Sequence, residues 1–296
     1  MPVTAVRQTF AGTASDTTLP FSAPDRVMSF PTFDQGGIRH LFDLNNPATG
    51  LTAAPSNGQL ITDISGRESG VFTLSNGSAV ANAGGGIDFT GANPTAAVEI
   101  PASVAANIRG DGTVPQYFSQ VLYVKLPTKA LWTTSAGGVK PISCFTSASN
   151  GFISEADLLS ILIVVIGSTP YLRFNRQTGL GPATFDEFNI PVPDVAFGTV
   201  VQLVFWRNAS GQVAQLTYGN GLTLQATKTV SANNTADFST KRGRIGIGTS
   251  FYTTDTVGKA WRVYRGWVEN LRMSGRDPAA VAASDYQRRL QFGRFI

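Results

Sequence analysis

Residues 199–230, TVVQLVFWRNASGQVAQLTYGNGLTLQATKTV, admit few folds. Apolar and β-branched residues fill three runs, separated by Asn208–Gly211 and Gly219–Gly221. The second break carries an Asn-Gly pair, the strongest short hairpin signal. The stretch therefore predicts three consecutive antiparallel strands.

The same strand–turn rhythm extends from about Gly36. GGIDFTG (85–91) places Ile87 and Phe89 on one face between glycines, and FSQVLYVKLP (118–127) alternates Val121, Tyr123 and Lys125 with Leu122, Val124 and Leu126. ILIVVIG, STP and YLRFNRQ predict a hairpin that turns at Ser168, Thr169 and Pro170. GRIGIG (243–248) predicts a short strand whose glycines allow close backbone packing. Further on, Trp267, Glu269, Leu271 and Met273 share parity, so strict alternation would place Glu269 in a core. A bulge at Gly266, or a position for Glu269 at the sheet rim, is expected instead. Composition agrees with an all-β chain: 31 Gly, 16 Pro and only 14% charged residues, against about 25% in an average domain. The 42% hydrophobic content of 296 residues suffices for one large sandwich core.

The pattern changes after Ser274-Gly275. Asp277 suits an N-cap and Pro278 the first helical position, predicting a helix over 278–290. Its apolar positions Val281, Tyr286 and Leu290 are sparse, so one side docks. At the other terminus, residues 1–35 are rich in Thr, Ser and Pro and show no sustained period. They read as an arm ahead of a domain spanning 36–296, with Phe10, Phe21, Phe30 and Phe33 as candidate assembly contacts on a neighbouring subunit or the arm's own domain.

Several function classes are disfavoured at once. A single cysteine, Cys144, precludes an internal disulfide, and a single histidine, His40, removes most His-dependent chemistry, a multi-histidine metal site above all. The N-terminus lacks an apolar signal core, and LLSILIVVIG (158–167) is too short to span a bilayer. The expectation is a soluble product of the cytosol with no membrane insertion. Residues 241–296 hold eleven Lys/Arg against four Asp/Glu, a balance of +7 in a chain of net +4. These cations are spaced singly rather than massed, so nucleic acid is not an expected partner.

LITDISGRESGVFTLSNG, followed by GGGIDFTGANPTAAVEIP, resembles the opening of laminin-G-like jelly rolls in the concanavalin A-like lectin superfamily. The residues carrying that likeness are an Asp-x-Ser-Gly turn (Asp63, Ser65, Gly66), then Phe89 and Gly91, then Ile100 and Pro101. Asn220-Gly221, RIGIG and the terminal RGWVENLRMSGRDPAAVAASDYQRR are similar to the hairpin, closing strands and final helix of that family. The upstream GGIRHLFDLNNPATG resembles the version found in bacteriophage structural proteins, with Phe42-Asp43-Leu44 departing from the usual first strand. The resemblance covers about residues 36–290. It implies a jelly-roll sandwich of two antiparallel sheets whose terminal helix caps it.

Chemistry is sparse along the chain. Retaining hydrolysis in this superfamily needs close carboxylates on one strand face. Asp186 and Glu187 are adjacent and so point apart, while Glu155 and Asp157 form one pair without a third acid. No loop is dense enough in carboxylates to predict calcium, although Asn233, Asn234, Asp237 and Asp255 supply oxygens. No metal or cofactor is expected. Sugar recognition would use loop aromatics, and Trp132, Phe251 and Tyr252, with Asp255, are the candidates. The expected role is a non-enzymatic component of a bacteriophage-like virion, on a tail, baseplate or capsid. Its partners would be other virion proteins, further copies of itself and a host-surface glycan. The alternatives are a secreted carbohydrate-binding lectin and, disfavoured, a glycoside hydrolase.

Overall fold

The computed structural model describes residues 25–46, 50–74, 80–89, 96–134, 140–146, 158–247 and 261–295. Its strands are β1 (Ile38–Asp43), β2 (Leu60–Ile61), β3 (Gly70–Leu74), β4 (Ala81–Ala83), β5 (Gly86–Asp88), β6 (Ala96–Ile100), β7 (Phe118–Lys125) and β8 (Lys140–Thr146). They continue with β9 (Ser160–Ile166), β10 (Thr169–Leu180), β11 (Ala183–Pro191), β12 (Val200–Asn208), β13 (Gly211–Tyr218), β14 (Leu222–Lys228), β15 (Arg242–Ile247) and β16 (Arg262–Asn270). The helices are α1 (Ala102–Arg109), α2 (Lys129–Thr134), α3 (Leu271–Ser274) and α4 (Pro278–Gln291).

All strand pairs are antiparallel, and they form two sheets. The front sheet runs β14-β13-β12-β7-β16-β5-β4, with β1 also paired to β16. The back sheet runs β11-β10-β9-β8-β15-β6-β3-β2. The molecule is thus the predicted all-β sandwich. The three strands expected within 199–230 are β12, β13 and β14, in uninterrupted register from Gln212↔Lys228 to Tyr218↔Leu222. The β9–β10 turn is tighter than expected. Gly167, with φ +63°, turns the chain with Ser168, and Thr169 and Pro170 already belong to β10.

Alternation explains how the front sheet buries both of its faces. Phe118, Leu122 and Val124 of β7 and Val201, Leu203 and Phe205 of β12 point into the core between the sheets. Val121 and Tyr123, with Val200, Val204 and Trp206, point the other way into a second apolar cluster. Helix α4 closes that cluster with Val281, Ala282 and Tyr286, joined by Val27 and Phe295. The Tyr286 ring stacks on Tyr123 at 6.4 Å, and Gln202 Nε2 donates to both the Tyr123 hydroxyl (2.7 Å) and Ala282 O (2.9 Å). The terminal helix therefore does more than cap the sandwich. It is a third layer laid across the outer face of the front sheet.

Three expectations change under this layer. The irregularity in β16 falls between Val263 and Arg265, not at Gly266, so Tyr264, Arg265, Trp267 and Glu269 all serve the outer layer. Gly266 has a different duty: a Cβ there would sit 2.6 Å from Leu122 Cδ2 and 3.0 Å from the Phe42 ring. Glu269 is fully buried rather than at a wet rim, because Arg276 Nε reaches its Oε1 at 2.7 Å beneath the helix layer. Finally, packed structure begins ahead of Gly36. Val27 is buried, Arg276 Nη1 donates to the Val27 and Phe30 carbonyls, and Asp34 Oδ2 accepts from Ile38 N at 2.9 Å. Within the expected arm, Phe30 is half-buried under Arg26 and Phe33 is 69% exposed, while Phe10 and Phe21 lie outside the described residues.

Arg265 sits at the centre of the outer layer. Its guanidinium contacts Asp25 (2.7 Å), Asp43 (2.9 Å) and Asp285 (3.3 Å), and Arg294 also reaches Asp43. Burial pushes the Asp25 carboxyl up, but the charge and hydrogen bonds of Arg265, the Val27 N–H and Arg294 hold it below its ordinary 3.8.

A carboxyl held below its unfolded value contributes stability above about pH 4, which is lost as pH falls through the depressed folded value. Asp25→Asn should therefore cost about 1.5–3 kcal/mol at neutral pH, with the difference from wild type closing as pH falls below about 4. Urea melts across pH 2–7 measure this; a gap that persists undiminished in acid would refute it. The Asp277 carboxylate accepts from Ala279 N at 3.0 Å, capping α4 as predicted. Asp277→Ala should lower stability by about 1 kcal/mol with the strand signal intact in circular dichroism.

Candidate functional site

One end of the sandwich is open. There β7 ends at Lys125 and the chain continues through Leu126, Pro127 and Thr128 into α2. Two backbone hydrogen bonds fix this exit against the start of β12: Leu126 N to Thr199 O and Gly198 N to Pro127 O, both 3.1 Å. Thr128 Oγ1 accepts from Leu131 N at 3.3 Å, which starts the helix at Lys129. The first residues of β16 and the last of β5 lie alongside, and together they enclose a cleft of about 260 Å³.

Its floor is apolar and its wall is charged. Leu126, Pro127, Leu131 and Trp261 supply hydrocarbon, and Thr128 a hydroxyl. Arg262 donates from Nε (3.2 Å) and Nη2 (2.8 Å) to one oxygen of Asp88. Burial alone would lower the pKa of Arg262, but its hydrogen bonds to Tyr264 and Asp88 hold it above its ordinary range. Lys125, which also lines the cleft, makes no ion pair among the described residues. Among the described lining residues, two cations stand against one carboxylate. At the rim, Leu131 is 47% exposed beside the Lys129–Asp194 pair.

Trp132 is not where a sugar platform would have to be. It lies on α2, fully buried, with Nε1 donating to Val164 O at 3.1 Å and its ring edge-on to Phe197 at 5.3 Å. The neighbouring Leu131 is what the cleft displays. On a helix, adjacent side chains point about 100° apart, so reading TKALWTT as a loop selected the wrong member of the pair. Phe251, Tyr252 and Asp255, and likewise Glu155 and Asp157, lie outside the described residues. The described chain resumes at Trp261, inside the cleft. Trp261 is 2% exposed, packs 6.4 Å from Phe89, and its Nε1 has no hydrogen-bond partner among the described residues.

The other polar clusters are spent on structure. At the opposite end, Arg207 holds Gln116 O (2.9 Å), Asn233 Oδ1 (3.1 Å) and Ser231 O (2.6 Å). Arg176 reaches Ala232 O and, at 3.5 Å, Asp186. Burial and then the neighbouring Arg207 lower Arg176 to about 10, against the pull of Asp186. Asn233 and Asn234, considered above as calcium oxygens, are taken up in the same lattice. A second cleft, of about 290 Å³, has Glu68 and Glu99 on its wall. Ser103 donates to Glu68 (2.8 Å), and Arg242 (3.5 Å) and Arg244 (2.9 Å) engage Glu99. Among the described residues no group of three His, Cys, Asp or Glu side chains is placed to hold a metal. His40 is buried, its pKa lowered by burial, and Cys144 is buried as expected.

Asp88 is the one described carboxylate on the lining of the first cleft and is locked to Arg262, whereas two-carboxylate hydrolysis needs a second acid across the scissile bond. No helix among the described residues is long and apolar enough to cross a membrane.

No known family and no curated protein matches the chain. Among solved structures it is similar to the CBM2 module of the evolved Dit of Lactobacillus casei BL23 phage J-1, at 15% identity and a TM-score of 0.41, covering 79% of this chain and 95% of that one. It is also similar to the receptor-binding domain of botulinum neurotoxin type G (11%, TM-score 0.47), covering 86% of this chain and 51% of that one. A third is Trypanosoma rangeli sialidase in complex with 2,3-difluorosialic acid (11%, TM-score 0.48), where 86% of this chain covers 33% of the sialidase. The chain thus spans a third of the sialidase and half of the toxin structure. These neighbours mix enzymes with binding domains, and the fold assignment rests on the strand pairing described above.

Because Trp132 anchors α2, Trp132→Ala should cost about 3–5 kcal/mol in thermal or urea unfolding. Leu131→Ala should cost under about 1 kcal/mol, as surface changes do. Equal losses for the two variants would contradict the assignment of Leu131 to the cleft and Trp132 to the core.

Proposed function

We propose that the chain is a non-enzymatic binding module that holds a polar ligand, a surface glycan, in the cleft between Lys125, Leu131 and Trp261. In this reading it is a component of a bacteriophage-like particle. The observation that carries the binding role is the cleft itself: an apolar floor beside a threonine hydroxyl and a lysine without an ion pair among the described residues, open to solvent, with its single described carboxylate engaged. That is the composition of recognition sites, in which hydrocarbon supplies contact and a few polar groups fix orientation. The outer face of the front sheet is filled by α4 and offers a ligand no open surface. The particle assignment is supported by the likeness of the domain entry, residues 36–66, to the bacteriophage version, in which the first strand leads into the Asp63, Ser65 and Gly66 turn.

A glycan panel tests the binding role. Wild type should retain one class of glycan, and Lys125→Ala and Leu131→Asp should each weaken that binding about tenfold or more, or about 1.4 kcal/mol, with unchanged melting temperature. Binding that survives both changes would exclude the cleft, and turnover of any bound glycan would overturn the non-enzymatic reading. Mass spectrometry and antibody labelling of purified particles test the location. Absence of the chain from them would remove the virion assignment and leave a free lectin.

A further inference from the structure

We infer that β14 is a pairing edge at which a second copy of this chain adds antiparallel, joining the two front sheets into one. The argument starts from how the ends of the two sheets differ. The back sheet ends in β2, two residues long, and in β11, which carries Asp186, Glu187 and a terminal Pro191 and whose register against β10 shifts between Gln177 and Gly179. The front sheet ends in β4, three residues long, and in β14. The free flank of β1 is covered by the Asp63 turn, through Leu41 N to Asp63 Oδ1 (2.9 Å) and Ile64 N to Leu41 O (2.8 Å). Short length, charge, proline, irregular register and a covering loop are the devices by which proteins blunt sheet edges. Seven-residue β14 has no proline, no bulge and no charge before its last residue, Lys228, and no loop pairs with its free flank among the described residues.

The edge is also held ready. β14 pairs with β13 along its whole length. At its start the β13–β14 turn is pinned by α4, since the Tyr286 hydroxyl donates to Gly219 O at 2.9 Å. At its end Lys228 sits 5.5 Å from the Phe188 ring centroid and Gln212 Nε2 donates to Thr229 O at 3.0 Å. A partner strand would lose little conformational freedom in the template it meets.

The sequence of the strand points to a second copy as that partner. Antiparallel self-pairing centred on Gln225 sets Thr223 opposite Thr227 and Leu224 opposite Ala226. Leu222, 61% exposed, meets the aliphatic stem of Lys228, and no like charges face each other. Leu224 and Ala226 already lean on the core, so a facing copy would continue the apolar side. On the other side Gln225 Nε2 donates to Gln215 Oε1 (2.6 Å) and Gln215 Nε2 to Thr217 Oγ1 (2.9 Å), an amide row that a second Gln225 would extend.

Light scattering of the full chain over a dilution series tests the proposal. Wild type should show a reversible species of twice the chain mass. Thr223→Lys combined with Thr227→Lys, which sets lysines opposite each other, should raise the dimer dissociation constant about tenfold or more with the melting temperature kept. Cross-linking gives an independent reading, because the native Cys144 is buried. Gln225→Cys treated with a short bismaleimide should give a covalent dimer, and Asp194→Cys, exposed on another element, should not. A wild type that stays monomeric at every concentration, a lysine variant that pairs as tightly as wild type, or equal cross-linking at both cysteines would each overturn it.

Discussion

A single guanidinium organises the outer half of this molecule. Arg265 is fully buried, and its three carboxylate partners come from distant parts of the chain: Asp25 ahead of β1, Asp43 at its end, and Asp285 in α4. Burial works against the charge on Arg265, while the three carboxylates hold it protonated above its ordinary range. An isolated buried ion would cost several kcal/mol, and so would each carboxylate without it. The segments can therefore desolvate only together. Folding the strap of residues 25–34, β1 and the terminal helix onto the front sheet is one event, and the Tyr123, Tyr286 and Phe295 rings fill the space around the charge.

The consequence for function is geometric. Both faces of the front sheet are spent on packing, one against the back sheet and one under α4, so a ligand cannot lie on either. The two ends are unlike. At the Arg207 end, guanidinium donors tie Ser231 and Asn233 to Gln116. At the Lys125 end the backbone clamp of Leu126 and Gly198 holds the exit apart from β16, and a cleft remains.

Much of this was legible in the sequence, and the parts that were not share a cause. The 199–230 strands could be read because Asn-Gly and Asn-Ala-Ser-Gly turns mark register locally. Helix α4 could be read because Asp277 and Pro278 state its start. Glu269 was misplaced because its partner Arg276 lies seven residues on, across a chain reversal that alternation cannot describe. Residues 25–34 read as arm for the same reason: Asp25 meets Arg265 at a separation of 240 residues. Helix α1 was not singled out, although Val104 and Ile108 share a face and are buried. Its eight residues followed a strand and an Ile-Pro that already had a reading. Trp132 was assigned to a surface because a six-residue helix has too few turns to show a period.

The residues that carry the family likeness explain why it speaks to fold more than to ligand. Asp63 is buried, and its two oxygens accept from the backbone N–H groups of Leu41, Ser65 and Arg67, while Gly66 takes the left-handed φ of +73° that closes the turn. Arg67 then reaches back to Ile38 O at 2.7 Å. The Asp-x-Ser-Gly turn is thus the fastening of β1, with no donor left to face a ligand. Phe89 and Ile100 are core residues. The cleft proposed above as the ligand site is lined by Lys125, Thr128, Leu131 and Trp261 among others, and none of these four belongs to the motif. Two chains could therefore share every residue of the resemblance and differ wholly in what they bind.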